Sequence, residues 1–363
     1  MSPKGLLSRS ALFLFHDAPS LNRESIRYEP HSTDPLVVTA TDQPYPSHSP
    51  IPLYPFPRHP AQNATFRPIA AKRQRSNLGS ALRKPPGPDL KKGLAYWDGI
   101  EASVNGVLGG FGNGPVPHID QLSSRLFLLS LLPSLHTFPS PLTPFPPDRP
   151  AHRLTALDVG AGIGRVTRHV LLPLFDDVVL LEPVDKFVRE AMRSARDGEW
   201  TDLSRSSGGK ERKKRVWLVR GGLQSCEPRF PGRGGETVGV VGGSDGLEAQ
   251  AGPEGFGQEI VYDAIWCQWC LVYPGHMTHS DLTLFLKRSR SALRDEASLI
   301  FVKENVCADG AGGKAIEILD EEDSSLTRSD GKWLQVFKEA GLKVIKEEVQ
   351  LGLPDELLVV KTR

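Results

Sequence analysis

The chain has 363 residues, of which 39% are hydrophobic, so it can bury a sizeable core in one large domain or two small ones. Its 44 Lys and Arg nearly balance its 43 Asp and Glu, and the net charge of +1 indicates neither a nucleic-acid nor a membrane partner. Its 4 cysteines are too scattered for a disulfide framework, which favours a reducing compartment, and no apolar run reaches the roughly 18 residues of a membrane span.

Residues 1–90 are rich in Pro and Ser and lack a sustained hydrophobic period, so we predict a disordered tail. The apolar run near the start is too short for a signal peptide. The run Lys72-Arg73-Gln74-Arg75 is either a solvated stretch of charge or a nuclear-import patch. We therefore expect a cytoplasmic protein, with the nucleus as a second candidate compartment.

Aromatic residues and glycines mark the next segment, residues 91–150. The runs YWDGI and VNGVLGGFG precede an amphipathic helix over residues 119–132, and a Pro-rich loop over residues 133–150 follows that helix. We expect this segment to form a substrate-facing extension in front of the domain core.

The sequence LTALDVGAGIGR, residues 154–165, predicts a short apolar strand that enters a glycine turn and then a helix. At Gly160, Gly162 and Gly164 the backbone can bend sharply and bring the helix N-terminus close to a polar or negative ligand. Glu182 ends the next strand, where its carboxylate can accept hydrogen bonds from a ribose diol. This combination favours S-adenosylmethionine, and the alternative is a tight turn that binds nothing.

After this motif, β-branched runs alternate with helical patterns, at residues 177–182, 216–219, 260–266, 298–303, 344–350 and 356–361. Such alternation predicts a mainly parallel sheet with helices on both faces, and the last two runs should form an antiparallel hairpin because a short segment joins them. The predicted fold is α/β, a Rossmann-like S-adenosylmethionine-dependent methyltransferase with a seven-stranded sheet. Its domain spans residues 91–363, with surface insertions at residues 197–215 and 228–258.

Polar or aromatic residues follow several consecutive strands, at the edge where such sheets bind ligands. The clusters are Leu223-Gln224, Gln268-Trp269, Lys303-Glu304-Asn305 and the acidic loop of residues 319–325. Taken singly, Trp269 is equally a core aromatic, and the loop is equally a helix cap with solvated carboxylates. Their repetition at strand ends favours a site. For the lone CxxC of Cys267 and Cys270 we expect core packing rather than a metal or redox centre.

The runs YWDGI, VNGVLGGFG, LDVGAGIGRVT, LLPLF, GLQ, YDAIWCQW, VKEN and LDEEDSS resemble those of the eukaryotic protein α-N-terminal methyltransferases, which modify Xaa-Pro-Lys termini. The resemblance extends over roughly residues 95–363, insertions aside. It implies an N-terminal helical extension over the substrate channel and S-adenosylmethionine as the cofactor. It assigns the cofactor shell to Gly160, Gly162, Gly164, Arg165, Glu182, Pro183, Val184, Leu223, Gln224 and Gln268. Arg165 would pair with the cofactor carboxylate, and Glu182 stands where the family usually has Asp.

The resemblance also implies how a peptide is held. Trp97, Leu108 and Trp269 would form an apolar slot for proline, whose rigid ring loses little entropy on binding. Asp320 and Ser325 would accept hydrogen bonds from a lysine at the third position of the peptide.

Three residues would act at the peptide terminus by the same resemblance. Asn305 would hydrogen-bond it, and Asp323 would face the α-amine and take or relay its proton. A histidine is expected a few residues after Trp269, where about three extra residues leave either His276 or Tyr273 in that place. No metal is required for this chemistry.

The function expected from the sequence is methylation of the α-amino group of proteins with an exposed Xaa-Pro-Lys terminus. The expected partners are those N-termini, and the chain's own Ser2-Pro3-Lys4 is a further candidate substrate. The alternatives are a small-molecule methyltransferase, since fold does not fix function, and a non-catalytic cofactor-binding scaffold.

Overall fold

The computed structural model describes residues 89–136, 149–204, 206–207, 212–243, 259–272 and 277–363. The predicted tail lies outside these ranges except at its last residues, and so do most of the Pro-rich loop and parts of both predicted insertions. The helices are α1 (Leu90–Gly99), α2 (Val104–Val107), α3 (Val116–Leu131), α4 (Asp185–Arg196), α5 (His279–Ser291) and α6 (Asp330–Glu339). Shorter helical segments are Pro133–Leu135, Thr167–Leu171, Thr201–Ser204 and Ala311–Gly313.

All of the strands in the described residues follow α3 along the chain. They are β1 (Thr155–Val159), β2 (Asp177–Glu182), β3 (Ser206–Ser207), β4 (Arg212–Lys213), β5 (Arg215–Arg220), β6 (Glu236–Gly242), β7 (Ala264–Gln268), β8 (Leu299–Cys307), β9 (Glu317–Leu319), β10 (Leu326–Ser329), β11 (Glu348–Val349) and β12 (Val359–Thr362). Strands β3 and β4 pair only with each other.

The main sheet has the strand order β11-β12-β8-β7-β1-β2-β5-β6, with β10 beside β8 and β9 beside β10. Its centre, from β8 to β5, is parallel, whereas β6 and β12 join it antiparallel. From β1 the chain builds the sheet in one direction through β2 and β5, and later in the other direction through β7 and β8. This reversal places the loops after β1 and β7 side by side, where open α/β sheets bind ligands.

Helices cover both faces of the sheet and bury its middle strands β1, β2 and β7 completely. On one face α3 and α4 contribute Phe127, Leu128 and Ala191 to the core, and on the other α5 and α6 contribute Phe285 and Trp333. Burial on two sides explains why these strands are continuous apolar runs without alternation.

The predicted fold class is confirmed, and so is the C-terminal antiparallel hairpin, formed by β11 and β12. Among the described residues ten strands form the main sheet rather than seven, because β6, β9 and β10 join it. The predicted surface insertion at residues 228–258 contains β6, which pairs with β5 in the main sheet. The valines of β6 are interrupted by Gly239 and show no regular alternation, so the sequence pattern does not indicate a strand. The strand is held mainly by its backbone hydrogen bonds to β5.

Neither a membrane-spanning helix nor a metal cluster is found in the described part of the chain. In the ranges given above, no helix combines the length and the apolar character needed to cross a membrane. Within the same ranges, no three His, Cys, Asp or Glu side chains are grouped so that they could hold a metal ion.

Candidate active site

The glycine turn lies between β1 and the segment Thr167–Leu171. Gly162 and Gly164 have φ values of +58° and +79°, a region that side-chain-bearing residues rarely adopt. A Cβ on Gly164 would lie 2.5 Å from the ring of Trp200, so packing also requires glycine there. A Cβ on Gly162 would meet no atom closer than 3.9 Å, to Val107. The backbone at Gly162 therefore borders open space, which a ligand can approach closely.

That space is a cavity open to solvent, with about 830 Å³ of empty volume when its open mouth is included. Its lining includes most residues predicted to hold the cofactor and the proline: Trp97, Leu108, Gly160, Gly162, Arg165, Glu182, Pro183, Val184, Leu223, Gln268 and Trp269. The remaining lining residues are Leu94, Val107, Asp158, Ala161, Val166, Phe187 and Cys270. The loops after β1, β2 and β7 thus meet α1 and α2 around one chamber.

Glu182 is buried at the end of β2 and closes back on the glycine turn. Its two carboxylate oxygens accept hydrogen bonds from the backbone N–H groups of Gly162 and Val184, both at 2.8 Å. Burial raises the pKa of Glu182 to about 7, against the lowering effect of these two hydrogen bonds. Each oxygen keeps a further lone pair, so the carboxylate fixes the turn and can still accept a hydrogen bond from a ligand hydroxyl.

Asp158, on β1, is a second buried carboxyl at the cavity, which sequence reasoning did not single out. It accepts a hydrogen bond from the Thr167 hydroxyl at 2.5 Å. Burial raises its pKa to about 7, and the hydrogen bonds of Thr167 oppose this rise. Near neutral pH the cavity is therefore less negative than a count of its carboxyl groups suggests.

Arg165 is buried in the cavity wall, where its guanidinium pairs with Asp120 of α3 at 2.5 Å. Asp120 was not predicted from the sequence, although its place on α3 indicates a buried polar residue. Val116, Asp120, Ser124 and Phe127 follow the helical spacing of the buried face, so Asp120 takes a position where an apolar residue is expected. A carboxylate there needs a partner, because an unpaired buried charge is costly.

Trp269 follows β7 in a strained backbone conformation, with φ of +51°. Its N–H donates to the carbonyl oxygen of Lys303 at 3.0 Å, which holds this conformation in place. The Arg165 guanidinium lies 5.7 Å from the centre of its ring. Among the described residues its indole Nε1 has no hydrogen-bond partner, although it is buried, and strain of this kind is concentrated at ligand sites.

The acidic loop, residues 320–325 between β9 and β10, lies against α1. The backbone N–H of Asp89, at the start of α1, donates to the Ser324 hydroxyl at 2.7 Å. Burial raises the pKa of Tyr96 on α1 to about 12, and the negative charge of Asp323 adds to this rise. Because Trp97 is the next residue of α1 and lines the cavity, one helix joins the acidic loop to the chamber.

Asp323 is the buried carboxylate of this loop. It accepts a hydrogen bond from the backbone N–H of Ser325 at 2.9 Å. Burial raises the pKa of Asp323, its hydrogen bonds with Ser325 oppose the rise, and the charge of Asp320 adds to it. A carboxylate with a raised pKa binds a proton more readily than an exposed one, as a proton acceptor should.

The structure does not bring every predicted site residue to the cavity. The lining formed by the described residues does not include Gly164, Gln224, Asn305, Asp320, Asp323 or Ser325. Asn305 is half-buried on β8, and the Gln224 amide nitrogen is buried with no partner among the described residues. His276 and Tyr273 lie outside the described residues, so the choice between them stays a prediction. Cys267 and Cys270 are buried free thiols.

The chemistry of this chamber fits S-adenosylmethionine. Gly162 leaves the space that a Cβ would fill, Arg165 offers a cation, and Glu182 offers an acceptor. The buried indole Nε1 of Trp269, without a partner in the described part of the chain, offers a donor. Apolar walls from Leu223 and neighbouring side chains suit a flat base, because most ligand pockets combine an apolar lining with a few polar groups.

Comparison with known proteins places this site in a family. The model of the family described as AdoMet dependent proline di-methyltransferase matches residues 89–224 and 249–363. Alpha N-terminal protein methyltransferase 1 of Arabidopsis thaliana is 33% identical over 75% of this chain and 77% of its own length. N-terminal Xaa-Pro-Lys N-methyltransferase 1-B of Xenopus laevis is 31% identical over 74% of this chain and 91% of its own. A solved SAM-dependent methyltransferase from Leishmania major is 29% identical, with a TM-score of 0.50, over 75% of this chain and 81% of that one.

Proposed function

The chain belongs to the family of AdoMet-dependent proline dimethyltransferases, and from this premise we propose that it methylates the α-amino group of proteins whose N-terminus reads Xaa-Pro-Lys. S-adenosylmethionine is the cofactor. The observation that carries the substrate proposal is the contact between the start of α1 and the acidic loop. Because α1 also lines the cavity through Trp97, the carboxylates of this loop lie next to the helix that borders the cofactor site.

On the cofactor side, the glycine turn, Arg165 and Glu182 would hold the methionine part and the ribose of the cofactor. Bound S-adenosylmethionine supplies an electrophilic methyl group. The protein has to present a neutral amine in line with that group, so positioning contributes much of the rate.

On the peptide side, Asp323 is proposed to hold and remove the proton of the α-amine. An α-amino group has a pKa of about 7.7–8.0 and is mostly protonated at neutral pH, so the lone pair must be exposed by a base. Asn305 would orient the peptide terminus, and His276 or Tyr273 would complete the surroundings of the amine.

The proline and the lysine of the peptide are proposed to be bound by two separate sets of side chains. Trp97, Leu108 and Trp269 line the same cavity and offer the apolar slot for the proline ring. Asp320 and Ser325 are proposed to accept hydrogen bonds from the lysine ammonium. The carboxylate of Asp320 accepts from the N–H of Glu322 at 2.8 Å, which fixes its direction within the loop.

Peptides that differ at one position test this proposal. With labelled cofactor, we expect Ser-Pro-Lys peptides to be methylated and Ser-Pro-Glu and Ser-Ala-Lys peptides to react at least about ten-fold more slowly. Equal rates on all three peptides, or no transfer to any of them, would contradict the proposed substrate. The chain's own Ser2-Pro3-Lys4 lies outside the described residues and stays a prediction.

A charge reversal identifies the loop that reads the third residue. Asp320→Lys should reverse the preference between Ser-Pro-Lys and Ser-Pro-Glu, because like charges in a half-buried slot repel. Glu296→Lys makes the same charge change at an exposed position before β8, at the opposite end of the sheet, and should leave the preference unchanged. If both variants keep the original ranking, Asp320 does not read the third residue.

A further inference from the structure

Four side chains from separate parts of the chain meet in a buried polar cluster beside the cavity. Asp120 comes from α3, Arg165 follows the glycine turn, Gln268 ends β7 and Lys303 lies on β8. Their exposed fractions are 0%, 7%, 6% and 0%. Burying ionised groups at this depth costs free energy even when they are paired, so such a cluster is expected to serve the function of the site.

Asp120 is the acceptor that joins the other three side chains. Besides Arg165, it pairs with the Lys303 ammonium at 2.6 Å, and the Gln268 amide nitrogen donates to its two oxygens at 2.8 and 2.9 Å. The Gln268 carbonyl oxygen accepts from the indole N–H of Trp266 at 3.0 Å, which fixes the orientation of the amide. Both Arg165 and Gln268 line the cavity, whereas Asp120 and Lys303 do not.

The cluster carries a formal charge of +1, because two cations share one carboxylate. Burial raises the pKa of Asp120, but the charges of Arg165 and Lys303 outweigh burial and keep it below the ordinary value. Asp158 and Glu182, also at the cavity, have pKa values raised to about 7 by burial, so each is only partly ionised near neutral pH and together they carry about one negative charge. Of the two cations in the cluster, Arg165 lines the cavity, where its guanidinium can meet a ligand carboxylate.

We propose that Asp120 is a positioning residue of the cofactor site, which pins the Arg165 guanidinium and the Gln268 amide in the cavity wall ready for the carboxylate of S-adenosylmethionine. This inference rests on the placement of the cofactor in this cavity. It also gives α3 a role in the site, since a helix of the N-terminal extension then supplies a support that the sheet does not.

A positioning role and a purely electrostatic role predict opposite effects of Asp120→Asn. Removal of a negative charge near the ligand carboxylate would strengthen its attraction to Arg165 and tighten binding. Loss of the pin releases the guanidinium and removes a charge-assisted hydrogen bond, so the ligand must order Arg165 when it binds. The positioning role therefore predicts weaker binding.

Titration calorimetry on the full chain separates the two roles with two ligands. S-adenosylhomocysteine carries the carboxylate, and 5′-methylthioadenosine carries the adenosine and sulfur without it. For Asp120→Asn we expect the Kd of S-adenosylhomocysteine to rise about ten-fold or more, and that of 5′-methylthioadenosine to change less than about three-fold.

Two further variants control for charge and for stability. Asp120→Asn/Lys303→Met restores the net charge of the cluster to +1 but lacks the carboxylate that holds Arg165 and Gln268. The ligand-free protein should therefore regain thermal stability while S-adenosylhomocysteine binding stays weak. Asp176→Asn removes another fully buried aspartate, which pairs with Arg149. Asp176 precedes the N-terminal end of β2, away from the cavity, so this variant should lower stability without changing the ratio of the two affinities.

The outcomes decide the inference whether or not Asp120→Asn folds alone, since the double variant carries the same comparison. Unchanged or tighter S-adenosylhomocysteine binding overturns it, as do equal losses for both ligands or recovery of affinity in the double variant. If the wild-type chain binds neither ligand, the placement of the cofactor itself fails. If it binds both but methylates no peptide, the proposed substrate fails instead.

Discussion

The glycine turn and the acidic loop meet the same helical extension but are built in different ways. The cofactor side takes its key groups from Gly160 to Arg165 and from Glu182, on adjacent parallel strands whose register is fixed by the sheet. The peptide side takes Trp97 from α1, Trp269 from the loop after β7 and Asp323 from a loop between two short strands. A cofactor site can therefore be set by local spacing, whereas the peptide site requires distant segments to dock.

The two regions also treat their carboxyl groups differently. Glu182 and Asp158 are buried at the ends of sheet strands or within them, among backbone and hydroxyl donors, which suits a fixed acceptor. Asp323 is as buried as Glu182 but lies in a loop, where its neighbours Glu321 and Glu322 are exposed and can relay a proton to solvent. We expect substitutions on the cofactor side to change binding and stability, and substitutions on the peptide side to change turnover.

The largest effect is expected for Asp323→Asn, which keeps the size of the side chain but cannot take a proton. We expect kcat to fall by about 10²–10⁴-fold, with a much smaller change in the KM for the peptide. Steady-state kinetics on a Ser-Pro-Lys peptide measures both. Glu321→Gln, an exposed neighbour in the same loop, is the matched control and should be nearly silent. A KM rise without a loss of kcat would make Asp323 a binding residue.

A pH-dependent loss of stability is expected from Glu182. Its pKa in the folded protein is about 7 against an ordinary 4.5, so the folded state holds the proton to higher pH than the unfolded state. The contribution to the free energy of unfolding is full below about pH 4.5 and is lost up to about pH 7, a fall of about 3 kcal/mol. Glu182→Gln stays neutral and should flatten this part of the curve in urea unfolding. Parallel curves for both proteins would contradict the assignment.

Arg165→Ala should weaken S-adenosylhomocysteine binding by about 1.5–3 kcal/mol, the range for a hydrogen bond to a charged group. Arg168→Ala is the matched control, because Arg168 pairs with Glu199 at the surface three residues further along. Calorimetric titration should show a loss for the first variant alone. Equal affinities of the two variants for S-adenosylhomocysteine would show that Arg165 does not bind the cofactor.

Within the turn, the two glycines should respond differently to alanine. Gly164→Ala meets Trp200 and should lower the free energy of unfolding by about 1–2 kcal/mol or more, through both its positive φ and the clash. Gly162→Ala shares the backbone strain but meets no atom of the protein closer than 3.9 Å, so its main additional loss should be in cofactor affinity. Thermal unfolding with and without S-adenosylhomocysteine separates the two effects. The same response from both variants would mean that no ligand approaches Gly162.

The sheet was predictable because buried parallel strands are continuous apolar runs and because helices alternate with them. The turn from Gly160 to Arg165 was predictable because its geometry depends on neighbouring residues. Strand β6 was not predictable, because Gly239 interrupts its apolar pattern and because the strand forms by pairing with the free side of β5. Asp120 was missed because its partner Arg165 is 45 positions away, and only its place on the buried face of α3 indicated a need for one.

One chamber is proposed to bring a methyl donor to the α-amine of a peptide beginning Xaa-Pro-Lys. Fragment-ion mass spectrometry tests this most directly, on a mixture of free and N-acetylated Ser-Pro-Lys peptides incubated with the full chain and S-adenosylmethionine. We predict methyl groups on the α-nitrogen of the free peptide, none on the acetylated peptide and none on the lysine side chain. Methylation of the acetylated peptide, or of lysine alone, would contradict the proposed reaction.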